Sequence, residues 1–357
     1  MAKKIRVALL FGGKSAEHEV SLRSAANVAE AIDKSKYEVV PIGIDKQGKW
    51  LLPGEAQPLL GNTKVAQGKE IVLRPESKGA LSLLSGGKSA SVDVVFPILH
   101  GPMGEDGTVQ GLLTLAGVPF VGSGVLGSAV GMDKDAMKRL LRDAGLPIAR
   151  FITLRASEKR PAYAAVARKL GKILFVKPAN MGSSVGVSKV RNAKEFAAAL
   201  DKAFEYDSKI LIEEFIPARE VECAVLGNEE PIASVVGEII PTHEFYSYEA
   251  KYLDENGAAL EVPAKIPQAL SRKIQKMAVE VFKVLSCEGL GRVDFFLTEK
   301  GKIYVNEINT IPGFTSISMY PRLFSASGIS YPDLIDRLIQ LALERHARSK
   351  DLKTSRV

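Results

Sequence analysis

The sequence predicts an α/β protein that opens on a parallel sheet and closes on antiparallel strands. Three observations carry that reading. Residues 5–11 are an apolar run, interrupted by Arg6 alone, of the kind found in strands covered on both faces. Gly12-Gly13 turns that run into a helical pattern at 20–32 and a second strand at 37–44, a βαβ opening that implies parallel pairing. Near the end, 292–298 and 303–309 are β-branched and aromatic runs joined by a turn at 299–302 containing Lys300-Gly301, the mark of a hairpin.

At 357 residues the chain suits two or three domains of ~150 residues each. Hydrophobic content of 46% and charged content of 25% belong to ordinary packed cores rather than to a disordered chain. The net charge of +7 comes from scattered Lys and Arg without aromatic interleaving, which argues for a small anionic substrate and against nucleic acid. No apolar run approaches the ~18 residues of a membrane span. The opening MAKKIRVALLF imitates a signal peptide, but Arg6 interrupts it and no small-residue cleavage site follows, so it reads as a first strand. Cys223 and Cys287 sit in apolar surroundings without metal or redox spacing, as expected of buried thiols in a reducing cytoplasm.

In chain order, 46–91 is polar and glycine-rich with strand-like pieces at 50–52 and 71–73, and no role is assigned to it. A buried strand at 92–99 ends in His100 and a turn with Glu105. A helix at 108–115 and a short strand at 119–121 follow. Ligands of parallel sheets bind beyond the strands' carboxyl ends, where Glu17, His100 and Glu105 fall. From 132 the pattern changes: helix 134–144, strand 151–154, helix 161–170, strand 173–176, strand 187–190, helix 195–203, and strands 210–212, 220–226 and 232–240. Residues 242–259 read as a surface loop or lid. An amphipathic helix at 268–285 precedes the hairpin. A helix at 331–344 follows it, and a basic tail from His346 is expected to fray.

Two runs imitate phosphate loops. Gly13-Lys14-Ser15 and Gly87-Lys88-Ser89 lack the glycine five positions before the lysine, where Ala8 and Ser82 stand. Residues 122–127 match GxGxxG, but Arg155 follows the next strand where a ribose-binding acid is wanted, which weakens a nicotinamide enzyme. The loop at 177–186 fits better. Its small residues let backbone N–H groups approach phosphate oxygens, and Lys177 adds a point charge. If two residues separate the hairpin strands, positions summing to 601 face each other. Asp294 then sits opposite Glu307 and Arg292 opposite Asn309. Val293, Phe295, Leu297, Tyr304 and Ile308 turn to the core. Asp294, Glu307 and Asn309 make an oxygen-only set suited to Mg²⁺. With Lys134, Lys177 and Lys251, this is the equipment of phosphoryl transfer from a metal–ATP complex.

The motifs GGKSAEHEVSLRSA (12–25), LHGPMGEDG (99–107), MDK (132–134), VKPANMGSSVGVSKV (176–190), LIEEFI with Glu220, YEAKYL (248–253), GRVDFF (291–296) and NEINTIPGFTSIS (306–318) resemble those of the D-alanine–D-alanine ligase family, in order and across nearly the whole chain. The resemblance implies an ATP-grasp fold, with a Rossmann-like N-terminal domain (1–130) and two mixed lobes clasping ATP (131–225 and 226–346). The second lobe carries the lid at 242–260, and 347–357 is the tail. It implies an ADP-forming ligase of peptidoglycan synthesis that joins two D-alanines through D-alanyl phosphate. Other carboxylate–amine ligases of the superfamily, making D-Ala-D-lactate or D-Ala-D-Ser, are the alternative; a nicotinamide oxidoreductase or an inactive binding protein is more distant. By the same resemblance, Glu17 holds the first substrate's ammonium, with Ser183 and Tyr252 bonded to it. Lys134, Lys177 and Lys251 meet ATP phosphates, while Glu213, Phe215, Ile216 and Glu220 surround adenosine. Asp294, Glu307 and Asn309 hold two Mg²⁺ or Mn²⁺, with Glu307 bridging. Arg292 and the Gly313 N–H face the oxyanion, and Ser318 binds the second carboxylate. A cytoplasmic homodimer is the family expectation, and the Tyr252 form goes with the dipeptide product.

Overall fold

The computed structural model describes residues 3–53, 68–241, 258–350 and 352–353. Of the lid expected at 242–260, residues 242–257, with Lys251 and Tyr252, lie outside the described residues. The first sheet contains β1 (Ile5–Gly12), β2 (Tyr37–Ile44), β3 (Trp50–Pro53), β4 (Gly68–Leu73), β5 (Ala80–Leu83), β6 (Lys88–Ser91) and β7 (Val94–Ile98), in the order β6-β5-β4-β3-β2-β1-β7. β1 runs parallel to β2 and β7, as the opening pattern predicts. Val7 to Leu10 are fully buried because helices and loops cover both faces of the strand. The stretch left without a role supplies β3–β6, an antiparallel extension of the sheet. α1 (His18–Ala31), α2 (Thr108–Leu115) and α3 (Val125–Met132) complete this part.

α4 (Lys134–Asp143) leads into an antiparallel sheet of β8 (Phe151–Arg155), β9 (Leu174–Pro178), β10 (Ser188–Val190) and β11 (Lys209–Glu214), in the order β10-β9-β11-β8. α5 (Tyr163–Leu170) and α6 (Ala193–Phe204) cover it. The third sheet is β12 (Arg219–Gly227), β13 (Ile232–Pro241), β14 (Ala258–Glu261), β15 (Gly289–Leu297) and β16 (Ile303–Asn309), in the order β14-β13-β12-β15-β16. It packs on α7 (Gln268–Val284). β12 pairs along its length with β15, so the expected division between 225 and 226 falls inside a strand of this sheet.

The sequence pattern missed α8 (Met319–Ala326), eight residues containing Pro321 and too short for a clear period. α9 (Tyr331–Lys350) runs past His346, where fraying was expected. Arg345 holds it there, donating to the carbonyls of Phe120 (2.8 Å) and Gly122 and stacking 4.4 Å over the Phe120 ring. The GxGxxG run is a packing joint. A Cβ on Gly127 would meet the Ser286 carbonyl oxygen at 2.5 Å, and one on Gly289 would meet Gly122 N at 3.2 Å. Its glycines let two backbone segments touch.

The hairpin reaches the expected pairing by another route. Thr298 N–H donates to Lys302 O and Gly301 N–H to Thr298 O, both at 2.9 Å, with Gly301 at φ +71. The loop therefore has three residues, and Phe295 faces Val305. Asn306 is then an extra residue in β16. This bulge restores the sum of 601, so Asp294 faces Glu307 and Arg292 faces Asn309. Nearer the turn the faces are exchanged: Tyr304, expected in the core, is half-buried on the opposite face, and Ile303 and Val305 point inward.

Candidate active site

Three neighbouring strands build a charged row. Glu222 on β12 pairs with Asp294 on β15, which pairs with Glu307 on β16; the next row is Ala224, Arg292 and Asn309. The Arg292 guanidinium forks onto Asp294 with two 2.8 Å hydrogen bonds, and its Nε lies 2.9 Å from Glu222 Oε2. Asn309 Nδ2 donates to Asp294 Oδ2 at 3.0 Å. Burial disfavours the Arg292 charge, but Asp294 and Glu222 outweigh it and hold its pKa well above the usual value. Glu222 escaped the sequence reading. Its signal was present: Glu220 and Glu222 alternate with buried Val221 and Cys223, which puts both carboxylates on one face of β12.

α4 brings in the cations. Asp133 caps it, accepting from Asp135 N (3.1 Å) and Ala136 N (3.0 Å), so Lys134 stands in its first turn. Lys134 Nζ donates to Met181 O at 2.7 Å and lies 3.4 Å from Glu307 Oε2, tying the hairpin to the glycine-rich loop. Lys138, one turn later, is fully buried with its Nζ 3.1 Å from Glu213 Oε1, and Lys177 Nζ approaches Glu213 Oε2 at 2.7 Å. Burial opposes ionisation of Glu213, but the two lysines prevail and hold its carboxyl below the ordinary range. Burial pulls the Lys138 pKa down against the raising charge of Glu213. Lys138 too was missed, because an isolated lysine on a helix reads as surface.

The loop between β9 and β10 joins strand to strand, as expected. Ser183 and Ser184 adopt φ +51 and +59, left-handed geometry that gathers backbone N–H groups. Ser183 Oγ donates to Glu17 Oε1 at 2.5 Å, so Glu17, buried at the start of α1, and Ser183 meet across 166 positions. Behind them His100 Nδ1 donates to Ile311 O at 3.0 Å. Glu105 accepts from Gly101 N at 2.7 Å and Ile311 N at 3.3 Å. Burial, and then the charge of Glu17, push the Glu105 carboxyl up to about 8. Glu105, Lys134, Gly182, Glu307, Asn309 and Thr310 line one small cavity.

Gly313 and Ser318 lie together after β16. A Cβ on Gly313 would come 3.2 Å from Ser318 Oγ. Ser318 Oγ accepts from Thr315 N at 3.1 Å and lies 2.6 Å from Thr315 Oγ1. Buried Phe314 anchors this loop between the rings of Phe96, Tyr320 and Tyr331, and Tyr331 OH donates to its carbonyl at 2.6 Å. On the other side Phe215, Ile216 and Glu220 are half-buried; Phe175 packs 6.0 Å from the Phe215 ring and Lys189 Nζ lies 4.6 Å over it. Among the described residues no group of three His, Cys, Asp or Glu is placed to hold a metal by itself. Asp294, Glu307 and the Asn309 amide nevertheless fit a hard cation that draws its remaining oxygens from a bound phosphate.

Two family models match the chain, D-ala D-ala ligase N-terminus over residues 6–123 and D-ala D-ala ligase C-terminus over 140–340. The chain belongs to the D-alanine–D-alanine ligase family. It is 54% identical to the D-alanine–D-alanine ligase of Shouchella clausii over 99% of both chains. It is 53% identical to D-alanine–D-alanine ligase A of Escherichia coli K12, covering 99% of this chain and 100% of that one. Among solved structures, the D-alanine–D-alanine ligase of Coxiella burnetii superposes with TM-score 0.86 at 38% identity, over 97% of each chain. The VanG D-Ala:D-Ser ligase of Enterococcus faecalis gives TM-score 0.84 at 39% identity, over 95% of this chain and 100% of that chain. The architecture is the ATP-grasp fold of this family, which implies ATP use. Two relatives of one fold with different second substrates mean that backbone architecture does not choose that substrate. No helix among the described residues is long and apolar enough to cross a membrane.

Proposed function

We propose that the chain joins two D-alanines into D-alanyl-D-alanine at the expense of ATP, supplying a peptidoglycan precursor. The observation that carries this reading is the 3.4 Å approach of Lys134 to Glu307, which brings a phosphate-binding lysine to the acid face of the hairpin. A carboxylate is a poor acyl donor, and phosphorylation gives it a leaving group. The first D-alanine carboxylate attacks the γ-phosphorus of ATP and ADP leaves. The amine of the second D-alanine then attacks the acyl phosphate carbon, and phosphate leaves with its bonding pair.

Glu17, held by Ser183, binds the first ammonium. Lys134 and Lys177 hold the nucleotide phosphates; the backbone at Glu213, whose carboxylate faces Lys138 and Lys177, lies with Phe215, Ile216 and Glu220 around adenosine. Arg292 and the Gly313 N–H stabilise the developing oxyanion, and Ser318 takes the second carboxylate. Lys251 and Tyr252 belong to the lid by resemblance alone. Asp294, Glu307 and Asn309 would hold two Mg²⁺ or Mn²⁺ ions, which when bound neutralise phosphate charge. The working division into lobes sets 1–130 apart from two ATP-clasping lobes that change over before Arg219. A cytoplasmic homodimer completes the reading.

The test is phosphate release from ATP with D-alanine, against L-alanine as control, with the product weighed by mass spectrometry. D-alanine-dependent release and a dipeptide product are expected. Release without D-alanine dependence overturns the reading. A mixed dipeptide formed only with D-serine moves the chain to the specificity named for the VanG relative, and an ester from D-alanine and D-lactate at neutral pH, with D-alanine pairs left unjoined, moves it to the ester-forming alternative.

A further inference from the structure

Lys138 has no part in the reaction described above, yet its placement is unusual. It is fully buried, and its Nζ lies 3.1 Å from one oxygen of Glu213 while Lys177 Nζ lies 2.7 Å from the other. Two cations against one anion leave one positive charge in a buried cluster. A methionine or leucine would fill the same space without desolvating an ammonium, so packing alone does not account for a lysine there. Without Lys138, Glu213 and Lys177 would form a closed, neutral ion pair, and Lys177 would have little attraction left for a phosphate.

We propose that Lys138 is a positioning residue for the nucleotide: it takes one oxygen of Glu213, holds that carboxylate turned between the lysines, and leaves Lys177 electrostatically open to a phosphate. This rests on the reading that Lys177 meets the nucleotide phosphates. It assigns ATP affinity, and not D-alanine binding, to a fully buried residue on α4. The 2.7 Å contact fixes where Lys177 points, and the shared charge fixes how strongly it attracts.

The experiment compares Lys138→Met, Lys177→Ala and the double variant Lys138→Met/Glu213→Gln with the parent protein. KM for ATP, KM for D-alanine and kcat are measured, with calorimetric binding of Mg–ADP. Lys138→Met leaves Glu213 paired with Lys177, so no orphan charge is created. Expected is a rise on the order of tenfold or more in KM for ATP and in the Mg–ADP dissociation constant, with KM for D-alanine within about twofold. The double variant removes the anion as well and returns most of the affinity. A purely structural role instead moves both KM values with the melting temperature and makes the double variant worse than the single. Unchanged nucleotide affinity in Lys138→Met, with affinity lost in Lys177→Ala, overturns the proposal alone. Unchanged affinity in Lys177→Ala overturns the underlying reading of the site. If Lys138→Met does not fold, the double variant decides: affinity within a few-fold of the parent supports charge sharing, and a tenfold loss refutes it.

Discussion

Replacing Arg292 by alanine separates architecture from chemistry at the acid row. The guanidinium makes two 2.8 Å hydrogen bonds to Asp294 and a 2.9 Å contact to Glu222, and the three side chains are 19%, 15% and 4% exposed. Removing it takes away a cation shared by two carboxylates that stand opposite each other on paired strands. Breaking a buried pair in this way costs roughly 3–5 kcal/mol. For a protein of this size, at about 2 °C per kcal/mol, the melting temperature should fall on the order of 5–10 °C. Loss of one oxyanion partner should separately lower kcat by roughly 10²–10³-fold. Scanning fluorimetry reads the first effect, and ADP release with saturating D-alanine, well below the melting temperature, reads the second. A melting temperature that drops while kcat stays at the parent value would remove Arg292 from the chemistry and leave it as a strap for the strands.

Further outcomes follow from single contacts. Glu307→Gln should abolish Mg²⁺-dependent turnover, and a parental Mg²⁺ titration would contradict its metal role. Glu105 has its carboxyl raised from 4.5 to about 8, so the folded form alone keeps the proton between those values; stability falls as pH rises through that window and levels off above it. Glu105→Gln, which imitates the protonated acid, should flatten the melting profile of the ligand-free protein over this range, the difference reaching up to roughly 5 kcal/mol; an identical pH slope in both proteins refutes the shift. Gly127→Ala drives a Cβ to 2.5 Å from the Ser286 carbonyl oxygen and should destabilise by about 1–3 kcal/mol in chemical denaturation; a neutral effect would mean the joint is loose.

Lys134, Lys177, Asp294, Glu307 and Asn309 were legible because each stands at a turn, cap or alternating strand position that the local sequence marks. From the residues alone Glu17 was legible only as a position beyond a parallel strand; its bond to Ser183, found at 2.5 Å, was anticipated through the family motifs and not through any local rule. The hairpin teaches the same lesson in miniature. Its facing residues were anticipated from a two-residue turn, while the protein reaches them with a three-residue turn and a bulge at Asn306. Two shifts of one residue cancel at Asp294 and do not cancel at Tyr304, which therefore turned out on the other face. The run at 122–127 carries a phosphate-binding signature, yet its glycines serve close contact with 286–289.

By itself the sequence determined the alternation of helices and strands, the parallel start, the antiparallel end and the family motifs, because these depend on side-chain period and on backbone preferences within a few residues. Only the tertiary structure decided that Glu222 joins the acid row through β12 and that Lys138 shares Glu213 with Lys177. Those partners come from elements some 40 to 75 positions apart. Which distant charges meet is settled by how sheets and helices pack, since no local rule couples residues whose contact exists only after the chain has closed around them.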